Sequence, residues 1–530
     1  MFIPLTPIRC LHRAIELYGR KEGVICGSQR FTYSQFGERC ERLSSALVRA
    51  GVSKGDRVAL LSFNTHKLLE AYFGVPQAGA VVMPLNVRLT PAELVGILKH
   101  AGAVMLMFEQ DFAPLVEQLR KHCKDIRTYV GLSGPNPLAD VEYEELLTTG
   151  TPERADIMAF DENAPAELFY TSGSTGTPKG VVLSHRTLFL HALQVSAAFV
   201  KSDRGVELHT IPLFHANGWS RPQTCTLFGL KQVMVRRFEP TKVFQLIQDE
   251  KATSMSLVPT MGGALLACPE SAQYDLSSLQ EIHIGGAASS PELIARLERL
   301  FPGTEVTAGY GLTETSPVAT DAQKKDGVEY KDEADRLRRQ AMTGWSIPGV
   351  EVRVVDTNMH DVPRDMTTMG EVVIRGDNVM DGYFREPEAT AAVMTGAWLH
   401  TGDMAVWDEE SYVLIVDRKK DIIISGGENI SSIEVEKVLA AHPAVMECAV
   451  VSAPDDRWGE VPVAFVVRQP DQTVTQEMLV EHLAGRLARF KIPRAWYFQS
   501  EPLPKTGTGK IFKRQLREPF WNDKRVRVQG

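Results

Sequence analysis

The sequence predicts an α/β protein of two or more domains, with largely parallel sheets in its N-terminal part and a compact α+β unit at its end. The chain has 530 residues, which is too many for one ordinary hydrophobic core. Up to about residue 300, short apolar runs alternate with amphipathic helical patterns, an order typical of βαβ units. Beyond Gly344 the pattern changes to short β-like runs.

The alternation is clearest near the N-terminus. Residues 57–63 form an apolar run of strand length, and residues 68–73 continue in a helical pattern. Residues 80–85 predict the next strand. Pro91 then suits the first turn of a further helix, where its missing N–H would have no partner in any case. Strands that are joined by helices in this way predict parallel pairing.

The middle of the chain departs from this alternation. Residues 321–339 are strongly charged and predict a solvated surface insertion. Residues 350–355 and 370–375 are β-like runs that follow it. We therefore expect a second kind of sheet between the alternating part and the end of the chain.

A hinge is predicted at residues 418–422, where charged residues precede the pair Gly426-Gly427. Downstream, Ser431-x-x-Glu434 is a capping box that opens a helix, and residues 445–451 and 461–467 predict two strands. The predicted division is an N-terminal domain over 1–417, the hinge over 418–422 and a C-terminal domain over 423–530.

Charge and cysteine usage limit the classes of function. The formal net charge of −8 argues against a general nucleic-acid binder, whose affinity rests on surplus Lys and Arg. The seven cysteines include no C-x-x-C pair, so we expect reduced thiols and no zinc site. No signal-peptide pattern and no apolar run of the ~20 residues that span a bilayer is visible. We expect a cytoplasmic enzyme without a transmembrane segment.

The most informative segment is Tyr170-Thr171-Ser172-Gly173-Ser174-Thr175-Gly176-Thr177-Pro178-Lys179-Gly180. Its glycines let the backbone turn tightly, so that N–H groups can point toward an anion, while the hydroxyls and Lys179 add donors and a positive charge. A plain Ser/Gly linker has no reason to end in Pro-Lys-Gly before an apolar run. A Walker loop would instead need Gly-Lys followed by Ser or Thr. The segment predicts a loop that holds polyphosphate.

This loop resembles the phosphate loop of the adenylate-forming superfamily, which contains acyl-CoA synthetases, luciferases and the adenylation domains of peptide synthetases. Further strings follow in that family's order: HANGW at 215–219, GGAA at 285–288, GYGLTE at 309–314, HTGD at 400–403 and PKTGTGK at 504–510. The resemblance covers nearly the whole chain and is greatest to bacterial fatty-acyl and methylthiopropionyl-type CoA ligases. It implies a small β-barrel-like subdomain and a mobile C-terminal domain.

The resemblance implies that ATP is bound by residues spread along the chain. Thr313 would contact the α-phosphate, and Glu314 would hold Mg²⁺, for which one carboxylate together with phosphate oxygens suffices. Tyr310 would stack on adenine, while Asp403 and Arg418 would contact the ribose. The implied ATP-binding residues are Thr171, Ser172, Gly173, Ser174, Thr175, Gly176, Lys179, Gly286, Ala287, Ala288, Gly309, Tyr310, Gly311, Thr313, Asp403, Arg418 and Lys510.

The residues that the resemblance assigns to catalysis are Lys510, His215 and Glu314. Lys510 resembles the adenylation lysine, whose ammonium meets the negative charge that builds up when the carboxylate attacks the α-phosphate. His215 would gate or line the carboxylate site. The implied acyl pocket consists of His215, Trp219, Gly285, Gly311 and Leu312.

Coenzyme A is expected to meet a different face of the C-terminal domain. In the family that domain rotates after adenylation, and its pivot corresponds to Lys420. The rotation would bring Ser425, Gly426, Gly427 and Glu428 to the pantetheine arm of CoA. The family also suggests a homodimer.

The acid is less closely defined than the reaction. No Asp lies within residues 214–219 to hold a substrate ammonium, so we expect a monocarboxylic acid without a second charge rather than an amino acid. Short- or medium-chain aliphatic, fatty and methylthiopropionate-type acids fit, and aryl acids such as benzoate are an alternative. An acyl-AMP ligase that loads a carrier protein and a luciferase-like oxidase share the same motifs. A regulatory nucleotide binder would be expected to have lost Glu314, Asp403 or Lys510.

Overall fold

The computed structural model of the protein describes residues 2–171, 178–199, 202–470, 472–505 and 511–521. The chain divides into two compact units. The first consists of Met1–Val352, Ile374–Leu399 and Glu410–Val413, and the second of Arg353–Val373, His400–Glu409 and Leu414–Gly530. The hinge at residues 418–422 stays a prediction, because two compact units do not by themselves define the residue about which one would rotate.

The strands of the described residues are β1 (Glu22–Cys26), β2 (Gln29–Thr32), β3 (Arg57–Leu61), β4 (Val81–Pro84), β5 (Ala103–Phe108), β6 (Thr128–Gly131), β7 (Val141–Glu142), β8 (Pro165–Thr171), β9 (Lys179–Ser184), β10 (Val206–His209), β11 (Lys231–Met234), β12 (Ser254–Leu257), β13 (Glu281–Ile284), β14 (Glu305–Gly311), β15 (Val318–Asp321), β16 (Trp345–Ser346), β17 (Val350–Val355), β18 (Gly370–Gly376), β19 (Gly382–Tyr383), β20 (Met394–Thr395), β21 (Trp398–Trp407), β22 (Val413–Arg418), β23 (Ile423–Ser425), β24 (Glu428–Ile430), β25 (Val445–Asp455), β26 (Gly459–Arg468) and β27 (Ala495–Gln499).

The helices are α1 (Ile8–Tyr18), α2 (Tyr33–Arg49), α3 (His66–Gln77), α4 (Pro91–Ala101), α5 (Ala113–His122), α6 (Tyr143–Thr149), α7 (His185–Phe199), α8 (Ala216–Trp219), α9 (Arg221–Phe228), α10 (Pro240–Glu250), α11 (Pro259–Leu266), α12 (Pro291–Leu300), α13 (Glu333–Gln340), α14 (Pro387–Ala391), α15 (Ser432–Ala440), α16 (Gln476–Leu483) and α17 (Lys513–Arg517). Among the described residues, no helix has the length and apolar character needed to cross a membrane.

Two mixed but mostly parallel sheets organise the first unit. One has the strand order β16-β15-β14-β13-β12-β10-β11-β1-β2, in which β10 to β14 and β1 pair in parallel. The other has the order β19-β9-β8-β4-β3-β5-β6-β7, with parallel pairs from β8 to β7 and antiparallel pairs at β8–β9 and β9–β19. The predicted α/β class with largely parallel sheets is confirmed.

The predicted series β3–α3–β4–α4 is confirmed, and its local chemistry explains it. Thr90 caps α4 in a capping box with Glu93, and Pro91 occupies the first turn. Gly102 ends the helix with φ 62°, a left-handed conformation that glycine adopts at little cost. The strands β3 and β4 are almost entirely buried because helices cover both faces of a parallel sheet.

The later strands form smaller sheets. A curled sheet has the order β17-β18-β21-β20, with β22 beside β21, where the sequence predicts the barrel-like part. In the second unit the order is β24-β23-β26-β25, with β27 beside β26. Ser431 caps α15, as predicted, by accepting a hydrogen bond from the Glu434 N–H, but the Glu434 carboxylate pairs with Lys491 instead of completing the predicted capping box. The helix α15 buries Val435 and Leu439 against this last sheet.

The prediction that residues 321–339 form a solvated insertion is wrong at both ends of the stretch. Asp321 ends β15 and is buried, and Arg339 in α13 is buried as well. Between them, the predicted exposure holds for residues such as Asp332. A high density of charged residues does not establish that each of them is exposed. A charged residue at the end of a strand or helix can be buried when a partner side chain faces it.

Candidate active site

The phosphate loop connects two paired strands of the first unit. β8 ends at Thr171 and β9 begins at Lys179, and these two residues lie opposite each other in the antiparallel ladder. The predicted loop residues Ser172, Gly173, Ser174, Thr175 and Gly176 lie outside the described residues. The described part therefore fixes the base of the loop, and it confirms that a strand follows Lys179 directly.

Tyr383 lies between two residues that the sequence assigns to the phosphates and the metal. The Lys179 Nζ lies 4.7 Å from the centroid of the Tyr383 ring. The Tyr383 hydroxyl donates a hydrogen bond of 2.8 Å to Glu314 Oε1. Sequence reasoning missed Tyr383, because nothing in its short β19 strand marks it as a partner of a residue 69 positions earlier. The structure thus brings Lys179 and Glu314 to one aromatic side chain.

The backbone around Glu314 is held by the segment that precedes Tyr383. The Met380 N–H donates to the Glu314 carbonyl at 2.9 Å, and Asn378 Nδ2 donates to the Thr315 carbonyl at 3.0 Å. In return, the Ser316 hydroxyl donates to the Asn378 carbonyl at 2.8 Å. These bonds fix the main chain from which the Glu314 side chain extends.

Replacing Tyr383 with phenylalanine is expected to weaken the binding of MgATP about tenfold. The ring under Lys179 stays, and only the hydroxyl that orients the Glu314 carboxylate is lost, at a cost of about 1.5 kcal/mol. Pyrophosphate release measured against MgATP concentration gives the KM. The exposed Tyr497→Phe serves as the control. An unchanged KM in Tyr383→Phe would show that the hydroxyl does not position Glu314.

The glycines of the 309–314 string make close contacts with the chain's own backbone. A Cβ on Gly311 would lie 1.6 Å from the Pro317 carbonyl oxygen, and one on Gly309 would lie 3.0 Å from the Thr320 carbonyl oxygen. Glycine is therefore required at 311 by Pro317, the residue before the antiparallel partner β15, whether or not a purine approaches it. Tyr310, between them, is half-buried.

The predicted acyl segment has an unusual backbone. Ala216, Asn217, Gly218, Trp219 and Ser220 all have positive φ, between 37° and 64°, so α8 is a left-handed turn. Left-handed residues other than glycine are costly and persist only where the surroundings impose them. His215 immediately precedes this turn, and its ring is tilted against the Phe214 ring with the two centroids 4.7 Å apart.

The left-handed turn places Trp219 against another predicted acyl-pocket residue. A Cβ on Gly285 would lie 3.0 Å from Trp219 Cη2, and one on Gly286 would lie 3.9 Å from Trp219 Cζ2. The indole thus covers the backbone that follows β13. The structure brings together Trp219 and Gly285, while Ala287 and Ala288 are exposed beside them. Leu312 is half-buried and its N–H bonds the Thr315 hydroxyl.

Buried polar side chains hold the acyl segment in place. Asn64 donates to the carbonyls of His209 and Ile211 at 2.7 and 2.9 Å and accepts from the Leu213 N–H at 2.8 Å. The Tyr72 hydroxyl donates to the Leu213 carbonyl at 2.6 Å. Sequence reasoning missed both residues because they lie in and before α3, far from the segment they support.

Glu167 holds the turn itself from β8. Its carboxyl oxygens accept hydrogen bonds from Asn217 Nδ2 at 3.2 Å and from Gln223 Nε2 at 2.6 Å. Burial raises the pKa of Glu167 to about 8, and these two bonds only partly oppose that rise. Glu167 is thus a buried carboxyl, mostly protonated at neutral pH, on the strand that leads into the phosphate loop.

Glu167→Gln is expected to remove a pH dependence of stability. In the native protein the carboxyl keeps its proton between the ordinary pKa of 4.5 and about 8, whereas the unfolded chain has lost it. The contribution of the Glu167 carboxyl to the free energy of unfolding is therefore full below pH 4.5. It falls by about 1.4 kcal/mol per pH unit as the pH rises from there toward about 8. Urea unfolding of both proteins across this pH range measures it. The exposed Glu145→Gln is the control, and equal slopes for Glu167→Gln and the native chain would contradict the assignment.

The second unit brings together the two residues predicted for the ribose. Arg418 Nε forms an ion pair of 2.8 Å with Asp403 Oδ1, and Asp403 is buried. Nearby, Glu371 accepts hydrogen bonds from His400 Nδ1 at 3.1 Å and Lys419 Nζ at 3.0 Å. Burial alone would raise the pKa of Glu371, but these partners lower it overall. Glu371 is a residue that the motif search did not single out.

The predicted hinge and CoA-facing residues are also in the second unit. Lys420 lies in a short 3-10 turn, Lys419–Asp421, and Arg517 Nη1 of α17 donates to the Lys420 carbonyl at 3.1 Å and to Asp421 at 2.6 Å. Ser425 and Glu428 pair across a tight turn in which Gly426 and Gly427 have φ of 62° and 89°. Gly426, Gly427 and Glu428 are exposed, while Lys510 lies outside the described residues.

The metal prediction can be compared with the side chains near Glu314. Within the described residues, no group of three or more His, Cys, Asp or Glu side chains forms a metal site. Glu314 is half-buried, and its Oε2 makes no hydrogen bond or ion pair with the described part of the chain. One available carboxylate oxygen fits Mg²⁺, which prefers one or two carboxylates together with phosphate oxygens and water.

Comparisons with known proteins show the family of the chain. Residues 11–384 match the AMP-binding enzyme family, and residues 434–510 match the AMP-binding enzyme C-terminal domain. A long-chain-fatty-acid–CoA ligase of Thermus thermophilus is 42% identical over 97% of this chain and 95% of its own length. A peroxisomal butyrate–CoA ligase of Arabidopsis thaliana is 37% identical over 97% of this chain and 93% of its own.

Solved structures show the same fold. ATP-bound MatB from Rhodopseudomonas palustris superimposes with a TM-score of 0.85 at 26% identity, over 98% of this chain and 99% of its own. The anthranilate CoA ligase AuaEII in complex with anthranoyl-AMP gives a TM-score of 0.84 at 26% identity, over 98% of both chains. With the family matched over most of its length, the chain belongs to the AMP-binding enzymes, the adenylate-forming superfamily that its motifs resemble.

Proposed function

We propose that the protein is an AMP-forming acyl-CoA ligase that acts on a monocarboxylic acid. In the first step a carboxylate oxygen attacks the α-phosphorus of ATP, and pyrophosphate leaves. In the second the thiol sulfur of CoA attacks the acyl carbon, AMP leaves and the thiol proton is released. The observation that carries the proposal is the Lys179–Tyr383–Glu314 arrangement at the base of the phosphate loop, in a chain that matches the family at both ends.

The side chains present suit the proposed ATP contacts. Lys179 offers a cation and Glu314 an available oxygen for Mg²⁺, which would neutralise phosphate charge. Thr313 is proposed at the α-phosphate and Tyr310 at adenine. In the second unit, Asp403 and Arg418 form an ion pair, and both are proposed at the ribose hydroxyls. The loop residues and Lys510 complete the proposed set.

The proposed acid is a short- or medium-chain aliphatic acid or a fatty acid. Relatives named for long-chain fatty acids and for butyrate support this class. The Trp219 indole lies across Gly285, another residue of the predicted acyl pocket, and would limit chain length there. An aryl acid is the alternative, supported by a peroxisomal trans-cinnamate:CoA ligase of Petunia hybrida that is 36% identical over 98% of this chain.

The proposal extends to the cellular compartment and the oligomeric state of the protein. All seven cysteines lie in described parts of the chain as free thiols, and this supports a reducing compartment such as the cytoplasm. A homodimer is proposed from the family resemblance alone.

The decisive experiment incubates the protein with ATP, Mg²⁺, CoA and a panel of aliphatic and aryl acids, with mass detection of thioesters and a pyrophosphate assay. We expect acyl-CoA and AMP in equal amounts. Omitting CoA should leave enzyme-bound acyl-AMP. Acyl-AMP formation without any CoA thioester would favour an acyl-AMP ligase that loads a carrier protein. No pyrophosphate with any acid would overturn the proposal.

A further inference from the structure

Arg221 is a buried guanidinium close in sequence to Trp219 of the proposed acyl pocket. It is the first residue of α9, two positions after Trp219, and it is 4% exposed. Its Nε lies 3.5 Å from Glu207 Oε1, and its Nη2 donates a long hydrogen bond of 3.4 Å to the Ser256 hydroxyl. Glu207 and Ser256 lie on β10 and β12, which are neighbours in the sheet.

The position of Arg221 relative to the pocket follows from ring contacts. The guanidinium carbon lies 5.3 Å from the centroid of the Phe199 ring. The Phe199 ring in turn lies 4.2 Å from the His283 ring on β13. His283 is two residues before Gly285, the residue that Trp219 covers. Arg221 is therefore connected through Phe199 to the strand that carries Gly285.

The hydrogen-bonding capacity of Arg221 is largely unused. Its Nη1 is buried and makes no hydrogen bond with the described residues, whereas its Nε faces Glu207 in the ion pair. A buried N–H donor without a partner is costly, because it has given up its hydrogen bonds to water. An oxygen atom on a bound molecule could accept hydrogen bonds from the two N–H groups of Nη1.

The surrounding charges define what kind of oxygen fits. Glu207 already faces the guanidinium, and the buried Asp321 lies 3.5 Å from His283 Nδ1. A second carboxylate on the substrate would lie near both acids and be repelled. Burial alone would lower the pKa of His283, but hydrogen bonds to Asp321 and Glu281 raise it overall. The wall is thus polar with balanced charge, which suits an uncharged oxygen.

We propose that Arg221 binds a hydroxyl or carbonyl oxygen on the distal part of the acid, so that the enzyme prefers hydroxy- or oxo-substituted monocarboxylic acids to unsubstituted acids of the same length. This inference rests on the proposed ligase function and names its substrate class. Buried donors discriminate strongly, because a substrate that lacks the oxygen leaves them without partners in the closed pocket.

The test compares acids matched in length with and without the oxygen, for example hexanoate with 5-oxohexanoate and 5-hydroxyhexanoate, octanoate with its 7-substituted forms and decanoate with its 9-substituted forms. Thioester formation gives kcat/KM for each. At one length or more we expect the oxygenated acid to be favoured on the order of 10- to 100-fold. Adipate, which adds a second carboxylate, should be a poor substrate.

Variants separate recognition by Arg221 from a general effect on the pocket. Arg221→Met should reduce the preference to about onefold, mainly through a lower kcat/KM for the oxygenated acid, as the two N–H donors are lost. The double variant Arg221→Met, Glu207→Gln avoids leaving a buried carboxylate without its cation and should show the same loss. The exposed Arg20→Met should keep the native preference.

The possible outcomes are distinct. If the native enzyme makes thioesters but favours no oxygenated acid at any length, this inference is overturned and the ligase function stands. A preference that survives in both Arg221 variants would also overturn it. If no acid gives a thioester, the proposed function fails, and the inference fails with it.

Discussion

Replacing Lys510 with alanine is expected to slow acyl-adenylate formation by about two to three orders of magnitude and to spare thioester formation from supplied acyl-AMP. An ammonium about 4 Å from the charge that develops on the reacting oxygens, at an effective dielectric near 20, contributes about 4 kcal/mol. This corresponds to roughly a thousandfold in rate. Lys510 lies outside the described residues, and it is the last residue of the match to the C-terminal family domain.

Two half-reactions measure this prediction: pyrophosphate release from ATP and acid, and CoA thioester formation from synthetic acyl-AMP. Lys505→Ala is a matched control, because Lys505 lies five residues earlier and its Nζ is paired with Glu447 Oε1 at 2.8 Å. We expect the control to retain both activities. Equal losses of the two half-reactions in Lys510→Ala would contradict the assignment of Lys510 to adenylation.

Lys420→Pro is expected to abolish thioester formation while leaving pyrophosphate release within a few-fold of the native rate. Proline fixes φ at residue 420 and also restricts Lys419, so the backbone could no longer rotate at the predicted pivot. The site is a 3-10 turn in which the Ile422 N–H bonds the Arg418 carbonyl at 3.0 Å. In the proposed mechanism, adenylation needs no rotation at this point, whereas the second step does.

Lys420→Ala separates the backbone effect from the loss of the side chain. It removes the ammonium but leaves φ free, so both half-reactions should persist. The single-turnover rate of acyl-AMP consumption by CoA is the sharpest measurement. Normal thioester turnover in Lys420→Pro would contradict the assignment of the hinge to residue 420.

Much of the fold could be predicted where one segment carries its own signals. β3, α3, β4 and α4 were predicted from alternating apolar runs and Pro91, and Ser431 was correctly predicted as the N-cap of α15. Parallel pairing followed from the order of elements alone. These features depend on local sequence, so neighbouring residues contain the information.

The candidate site was predictable in part. The motif order singled out Trp219 with Gly285 and Asp403 with Arg418, and the structure brings each pair together. Tyr383, by contrast, was not predictable from a local pattern. It reaches Glu314 across 69 residues through a two-residue strand, a contact that only the folded chain defines.

Buried polar residues were the larger omission. Glu167 and Arg221 stand within segments that read as strand and helix, and a charge in such a segment is usually interpreted as solvent-facing. Their burial depends on amide and carboxylate partners contributed by other elements. Asp321 illustrates the same point, because its charged neighbours in sequence suggested exposure while β13 placed His283 beside it.

The left-handed turn at Ala216–Ser220 also constrains attempts to re-engineer this enzyme. Each non-glycine residue there costs about 1–3 kcal/mol on its own and is tolerated because Glu167 and Asn64 hold the turn and the chain leading into it. A designer who exchanges single side chains in this turn would disturb the conformation of the others. To transfer substrate range to another protein of this fold, all five residues of the turn should be exchanged together with Glu167 and Asn64.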